Sequence, residues 1–387
     1  MPALDVPQPE FMDDEEIAIF ADAVGKFYEK HAPEKRVLKW REDGQVDREF
    51  WREAGEAGLL GASVPEEYGG HGGDFRHEMV VIDQQGQHGV EGFAASLHNT
   101  IILPYLVRHG TEEQKKKYLP RLVSGDLVSA IAMTEPGVGS DLQSITTTAI
   151  KDGNGYRING AKTYISNGQI ADFIIVVAKT DPNERAKGIS LMLLETDGAE
   201  GFQRGKKLDK IGLEAQDTSE LFFDDVFVPA ENVLGGEEGK GFYQLMGELP
   251  QERLIIAMGA MTGIEKALET TMEFVKSRKA FGQTIWDFQN TQFVMADLKA
   301  RATAARVFVN DCIAKHLKRE LSVDTACMAK YWVTELQGEV VDKCLQFHGG
   351  AGFINDYPIA RMYRDSRITR IFGGSNEVMK MVIARSM

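Results

Sequence analysis

Two carboxylates four residues apart, Glu248 and Glu252 in Glu248-Leu249-Pro250-Gln251-Glu252-Arg253, are the chain's most suggestive acid–base pair. On an unbroken helix they share a face, but Pro250 removes a backbone donor and is expected to kink or restart the helix there. By itself Glu252-Arg253 reads as an ordinary helix salt bridge. Far downstream, Arg370-Ile371-Phe372-Gly373-Gly374-Ser375 offers backbone N–H groups with no side chain over them.

Other segments suit a planar, phosphorylated ligand. In Ala132-Met133-Thr134-Glu135-Pro136-Gly137-Val138-Gly139-Ser140-Asp141, glycines permit close backbone approach, and Thr134 and Ser140 supply hydroxyl donors. The glycine spacing is not that of a dinucleotide-binding Rossmann turn, and a tight strand-to-loop connection accounts for it equally well. In Lys162-Thr163-Tyr164-Ile165-Ser166-Asn167-Gly168, the Tyr164 ring either stacks on a flat cofactor or packs between a sheet and a helical bundle. Arg278-Lys279-Ala280-Phe281-Gly282 carries charge suited to a pyrophosphate or to bare surface. Gln346-Phe347-His348-Gly349-Gly350-Ala351-Gly352-Phe353 ends a helical run with glycines that admit phosphate or a neighbouring subunit. His348 has no companions at metal-ligand spacing, so packing or a hydrogen bond is its expected role, and no metal is expected.

The elements that must position these groups fall into three regions. Residues 1–129 read as helical, with Asp13 and Glu16 as a capping box and Ile17, Phe20, Val24 and Phe27 as an apolar stripe. Gly69-Gly70-His71-Gly72-Gly73 breaks this region. Thr111 and Gln114 predict another cap, ahead of a solvent-facing Lys115-Lys116-Lys117. Residues 130–238 turn to strands, with compact runs at Ile174–Ala178 and Ile189–Leu194 and a turn at Asp152-Gly153-Asn154-Gly155. Residues 239–387 return to helix, with long segments over Leu254–Val275, Phe293–Leu317 and Val323–Phe347. The fold class is α+β.

At 387 residues and 43% hydrophobic content, the chain can build substantial cores in two or three domains. Its 44 basic against 58 acidic residues leave a net charge of −14, which argues against a general nucleic-acid-binding face. An anionic ligand held by a few arginines is still compatible with that charge. The start, Met1-Pro2-Ala3-Leu4-Asp5, shows neither an export signal nor a basic presequence, and no apolar run reaches membrane-spanning length. Cys312, Cys327 and Cys344 have no paired spacing and read as buried thiols. The expectation is a protein of the cytoplasm.

Five motifs in order make the chain resemble the acyl-CoA dehydrogenase family over nearly its whole length. They are Met133–Asp141, Tyr164–Gly168, Arg278–Gly282, Gln346–Gly350 and Gly373-Gly374-Ser375-Asn376-Glu377. The resemblance implies an amino-terminal helical domain, a central β domain and a carboxyl-terminal four-helix domain, assembled as a homotetramer with FAD. It makes Met133, Thr134, Tyr164 and Ser166 the flavin wall, Tyr164 standing where the family often has tryptophan. Arg278, Phe281, Gln289, Gln346 and Gly350 resemble the part that a neighbouring subunit lends to FAD. Ser375 and Glu377 match the last flavin-contacting turn, and Ser140 lies near the CoA-bearing arm of the substrate.

The implied reaction removes a proton alpha to a thioester while flavin N5 takes a hydride from the beta carbon. Gly373 occupies the position where the family often carries its glutamate base, yet its N–H can still hold the thioester oxygen. Long-chain and isovaleryl members place the base on a helix, immediately before an arginine. Glu252-Arg253 matches that arrangement, the whole segment most closely in its long-chain form. Glu252 is then the base, Arg253 orients it or the adjacent backbone and stands with Phe372 and Ser96 among the substrate-binding residues, and Glu248 has a structural or electrostatic part. Ser96, in Phe93–Pro104, registers near a longer acidic residue of a medium-chain member. With Ala94 and Ala95 it leaves room for medium-to-long straight chains, unless Phe93, Leu97 and Leu103 block the cavity. An electron-transferring flavoprotein is the implied redox partner. Short- or branched-chain substrates, a carrier-protein thioester, oxidase chemistry and a non-catalytic acyl-CoA-binding homologue are the alternatives.

Overall fold

The computed structural model describes residues 3–387. Four helices open the chain: α1 (Glu15–His31), α2 (Glu34–Asp43), α3 (Arg48–Glu56) and α4 (Phe75–Gln87). Asp13 is not the cap of α1, because it closes a preceding 3-10 turn; Asp14 caps instead, accepting from the Glu16 N–H at 3.0 Å, and no reciprocal box forms. Ile17, Val24 and Phe27 are buried as the stripe requires, with Phe20 at its rim. They join Trp40, Phe50, Trp51 and Phe93, whose rings contact one another at 4.7–4.8 Å.

The Phe93–Pro104 segment does not form one regular helix. The chain runs from α5 (Ala95–Leu97) through a π-helical turn, His98–Ile102, into α6 (Leu103–His109). A π turn accommodates one extra residue and so re-aims everything after it by about 100° around the axis. Then α7 (Glu112–Val123) starts at the Thr111–Gln114 capping box. Lys116 and Lys117 face solvent, while Lys115 is half-buried over the Tyr68 ring.

The strands are β1 (Ser129–Ala132), β2 (Thr148–Asp152), β3 (Gly155–Ser166), β4 (Phe173–Lys179), β5 (Ile189–Glu195), β6 (Phe202–Lys207) and β7 (Thr218–Pro229). β4 lies between parallel β1 and antiparallel β5, and both β4 and β5 are buried along nearly their whole length, hence their unbroken apolar sequence. One parallel pair, Thr148 with Lys179, joins them to the antiparallel ladder β2–β3–β7–β6.

The remaining chain is α8 (Gly241–Ser277), a hairpin of β8 (Lys279–Ala280) and β9 (Gln283–Thr284), α9 (Gln289–Leu317), α10 (Val323–His348), α11 (Pro358–Ser366) and α12 (Asn376–Ser386). Pro250 neither breaks nor restarts α8, which keeps helical backbone through all 37 residues. Packing decides this: Leu254, Met261, Ile264 and Leu268 are buried against Met295, Val309, Val333 and Val340, which outweighs one missing hydrogen bond. Met79 and Ile82 of α4 enter the same core, clamping the amino-terminal helices to α8. The three cysteines are free and buried.

Candidate active site

Between α5–α6, the ends of β1 and β3, α8 and the Phe372–Gly373 turn lies a cavity of about 460 Å³. Glu252, Gly373, Phe372 and Ser96 line it on one side, and Met133, Thr134, Tyr164 and Ser166 on the other. A second recess of about 500 Å³, between the amino-terminal segment, α4 and α9, contains none of the expected site residues.

Glu252 is 6% exposed, and Tyr105 donates its O–H to Oε1 at 2.9 Å. Burial raises its carboxyl pKa to about 7, and the Glu248 charge adds to the rise; the Tyr105 hydrogen bond and Arg253 oppose it. A carboxyl poised there is suited to exchanging a proton at neutral pH. Glu248 is held apart from the cavity wall by an ion pair with Arg108 and a 3.1 Å contact with Nε2 of His109. Arg253 departs from its expected place. It is buried toward α10, where Nη1 lies 3.2 Å from Cys327 Sγ, and it does not line the cavity. One residue along a helix turns the side chain by about 100°, which carries Arg253 off the cavity face on which Glu252 lies.

The Gly373 turn is fixed from behind. Lys330 of α10 donates to Gly374 O at 2.8 Å and to Asn376 Oδ1 at 2.9 Å. Gly373 and Gly374 both have positive φ, +63° and +87°, and the Gly373 N–H finds no acceptor among the described residues. It is a donor available to a ligand.

The opposite wall is built on a buried ion pair absent from the sequence reading. Lys162, fully buried, donates to Glu135 Oε1 at 3.0 Å and to Met133 O at 2.9 Å. Glu135 also accepts from the Thr146 and Thr147 N–H groups, and its pKa is held down at about 2. Of its causes, burial alone opposes that shift; Lys162 and the threonine hydrogen bonds outweigh it. The pair locks the Met133–Thr134 edge against Thr163, whose N–H bonds Thr134 O at 2.9 Å. At the next residue a β-bulge interrupts the β3–β7 register, and Tyr164 takes φ +60°. Bulges re-aim side chains, and this one leaves the Tyr164 ring 68% exposed on the cavity wall, not packed between sheet and bundle.

The other expected residues are not on this wall. Ser140 is exposed on the loop after β1. Arg278, Phe281, Gln289, Gln346 and Gly350 are exposed around the β8–β9 hairpin and the end of α10. Phe281 and Gly282 both have positive φ, as a type I′ hairpin turn requires, and the Phe281 ring is 96% exposed. Ser375 caps α12 and Glu377 sits exposed in its first turn. His348 packs, stacked on Phe274 at 4.2 Å.

From Glu252 the cavity follows one stripe of α8 through Ile256, Gly259 and Gly263 to Lys266. Fourteen residues of helix span about 21 Å. Phe93, Ala94 and Leu97 line the facing side, whereas Ala95 turns into the amino-terminal core.

Models of the three acyl-CoA dehydrogenase domains match this chain: amino-terminal at residues 14–126, middle at 130–226 and carboxyl-terminal at 239–387. Over 371 residues it is 47% identical to a mitochondrial long-chain specific acyl-CoA dehydrogenase of Sus scrofa, covering 95% of this chain and 86% of the relative. It is 38% identical to a mitochondrial isovaleryl-CoA dehydrogenase of Pongo abelii, covering 94% and 86%. A solved acyl-CoA dehydrogenase from Geobacillus kaustophilus superposes with a TM-score of 0.94 at 46% identity, over 96% of this chain and 98% of that one. The chain belongs to the acyl-CoA dehydrogenase family and is a flavin-dependent oxidoreductase whose cofactor is FAD. Both curated relatives are described as mitochondrial, a different compartment from the cytoplasmic expectation. Among the described residues no helix is long and apolar enough to cross a membrane.

The residues present fit a flavin. Tyr164 offers an exposed ring, and neither the Thr134 nor the Ser166 hydroxyl is engaged by another protein group among the described residues. Tyr105 and the Glu135–Lys162 pair are the site's unforeseen members. Tyr105 follows Pro104 in a segment legible as cavity-lining, but its direction depends on the π turn, for which the sequence has no marker.

Proposed function

We propose that this protein oxidises medium-to-long straight-chain acyl-CoA thioesters to trans-2-enoyl-CoA. Glu252 removes the alpha proton, and the Gly373 N–H helps hold the thioester oxygen where enolate charge develops. The observation that carries this reading is the Glu252 carboxyl, buried on the wall of the Gly373 cavity with its pKa raised to about 7. FAD, when bound, supplies the hydride acceptor. Met133, Thr134, Tyr164 and Ser166 hold its ring system from within the subunit. Arg278, Phe281, Gln289, Gln346 and Gly350 of a second copy complete its site, and Ser375 and Glu377 stand at its last turn. The exposed Phe281 supports this division and favours an assembly no smaller than a dimer, a homotetramer by family pattern.

The channel along α8 supports the chain-length assignment. An extended alkyl chain advances roughly 1.25 Å per carbon, so about 21 Å takes on the order of sixteen carbons. Each methylene buried there contributes about 0.8 kcal/mol. Ser140 lies toward the CoA arm, and an electron-transferring flavoprotein is the electron acceptor. The test is anaerobic bleaching of the holoprotein by acyl-CoAs from C4 to C18 and by isovaleryl-CoA. The reading predicts fastest bleaching between C10 and C16. Thioesters that never bleach the flavin would refute dehydrogenation, and a maximum at C4 or isovaleryl-CoA would refute the chain length alone.

A further inference from the structure

The carboxylate assigned as base has two oxygens, and the protein has already committed one. Tyr105, completely buried on α6, donates its O–H to Glu252 Oε1 at 2.9 Å. Tyr105 reaches Glu252 by way of the π-helical turn His98–Ile102, which re-aims α6 relative to α5. That turn is tied to the base's own helix. Gln251, the residue before Glu252, donates Nε2 to Thr100 O at 2.7 Å, and its Oε1 accepts from Arg108 Nη2 at 2.8 Å. These bonds hold the two helices in register immediately before Glu252.

We propose that Tyr105 is the positioning residue of the reaction: it occupies Glu252 Oε1 so that Oε2 takes the alpha proton, with the Gln251-locked π turn setting its reach. This rests on Glu252 being the base. In the step, the carbon–hydrogen bond at the alpha carbon breaks, its proton bonds to Oε2, and its electron pair enters the forming double bond as hydride leaves the beta carbon for FAD. Tyr105 keeps its own proton, since burial raises its pKa well above the usual phenol value. The charged and titratable groups around Glu252 are few. Tyr105 comes from α6, and Glu248 and Arg253 from α8; Arg108 and His109 of α6 meet Glu248, and His316 of α9 lies close enough to feel Arg108 and Glu248. Of those acting directly on Glu252, Tyr105 is the one that hydrogen-bonds its carboxylate.

A hydrogen bond to the charged form favours it, so removing this one must raise the base's pKa. The experiment is anaerobic stopped-flow reduction of the FAD-loaded protein by hexadecanoyl-CoA from pH 5.5 to 9. In wild type the rate climbs with pH through a midpoint near 7. In Tyr105→Phe the midpoint moves up by about one unit, making reduction roughly tenfold slower at pH 6 and within about twofold of wild type at pH 9. Gln251→Met, which frees the Thr100 carbonyl and leaves the phenol in place, moves the midpoint the same way by less. That variant carries the test if Tyr105→Phe yields no holoprotein. An unmoved midpoint in the variant that folds, whether the rate is unchanged or falls equally at every pH, overturns the proposal. Fast reduction by Glu252→Gln would instead overturn the base assignment, so the two failures are distinct.

Discussion

The Cβ that any residue but glycine would carry at position 373 overlaps Cδ1 of Ile256, one turn beyond Glu252 on α8. Gly373 also has φ +63°, a backbone conformation that side chains of L residues rarely adopt. A carboxylate at 373 therefore needs both a strained backbone and a shift of the Ile256 side chain, on the same helix that carries Glu252.

Gly373→Glu therefore does not rescue Glu252→Gln. Left-handed strain costs about 1–3 kcal/mol before the Ile256 overlap is relieved, so the double variant melts lower than Glu252→Gln and stays as slow. Adding Ile256→Ala removes the overlap but not the strain, and recovers part of the melting temperature. Thermal unfolding and stopped-flow reduction on the three variants check this. A double variant with restored reduction and an unaltered Tm would mean that the turn re-forms around the new side chain.

Glu252→Gln slows flavin reduction by roughly 10²–10⁴-fold while FAD and thioester binding persist, because the amide keeps the volume and loses the base. It also changes stability with pH. The Glu252 pKa is about 7 when folded against 4.5 for a solvated glutamate carboxyl, so the native state binds more protons between those values. Wild-type stability consequently falls as pH rises from 4.5 through 7. The variant lacks this loss, and gains up to about 3 kcal/mol relative to wild type at pH 8 compared with pH 4. Glu248→Gln reduces flavin at near wild-type rate. Urea unfolding at both pH values, alongside reduction kinetics, separates the two carboxylates; equal slopes for wild type and Glu252→Gln would deny the burial effect.

Much of this site was readable in one dimension because it is local. Glu252 beside Arg253, and Tyr164 inside Tyr164–Gly168, are singled out by the family resemblance, which contiguous motifs carry. The three-part succession of helices, strands and helices follows from hydrophobic period. What escaped is non-local or cumulative. Pro250 reads as a kink or restart, but the long buried stripe of α8 carries the helix through it. Lys162 and Glu135 lie on different segments, and nothing in either marks a buried pair. The Arg253 direction follows from helix geometry, yet only the partner at Cys327 shows which of two neighbours faces the cavity.

Glu135→Gln tests the wall. The substitution leaves the Lys162 ammonium buried without its counter-charge, at a cost of about 3–5 kcal/mol, whereas Glu135→Gln with Lys162→Met costs less than the single change. Because the Glu135 pKa is lowered to about 2, its contribution is present above pH 4.5 and is lost as pH falls toward 2. The Met133–Thr134 edge loosens in the single variant, and FAD is released on dilution. Chemical denaturation and flavin fluorescence would show both effects. Full stability and full flavin retention in Glu135→Gln would mean that Lys162 gives up its charge readily and that the pair holds nothing.

Gly259 is the place to shorten the substrate. It faces the cavity seven residues, about 10 Å, beyond Glu252, and a Cβ added there meets nothing within 4 Å. A Cβ there displaces no protein atom and the side chain beyond it extends from the cavity-facing stripe, so Gly259→Leu is expected to fold. Removing a helical glycine further stabilises α8 by about 0.5–1 kcal/mol. The channel left beyond Glu252 admits on the order of eight carbons. Turnover of C14 and C16 substrates falls by at least tenfold, since several methylenes worth about 0.8 kcal/mol each lose their site. Reduction by C6 and C8 substrates stays within about twofold, because the base and the Gly373 turn are untouched. A kcat/KM series on wild type and Gly259→Leu checks the assignment. A uniform loss at every chain length would place the acyl chain elsewhere in the cavity, and no loss at C16 would remove α8 from the channel wall.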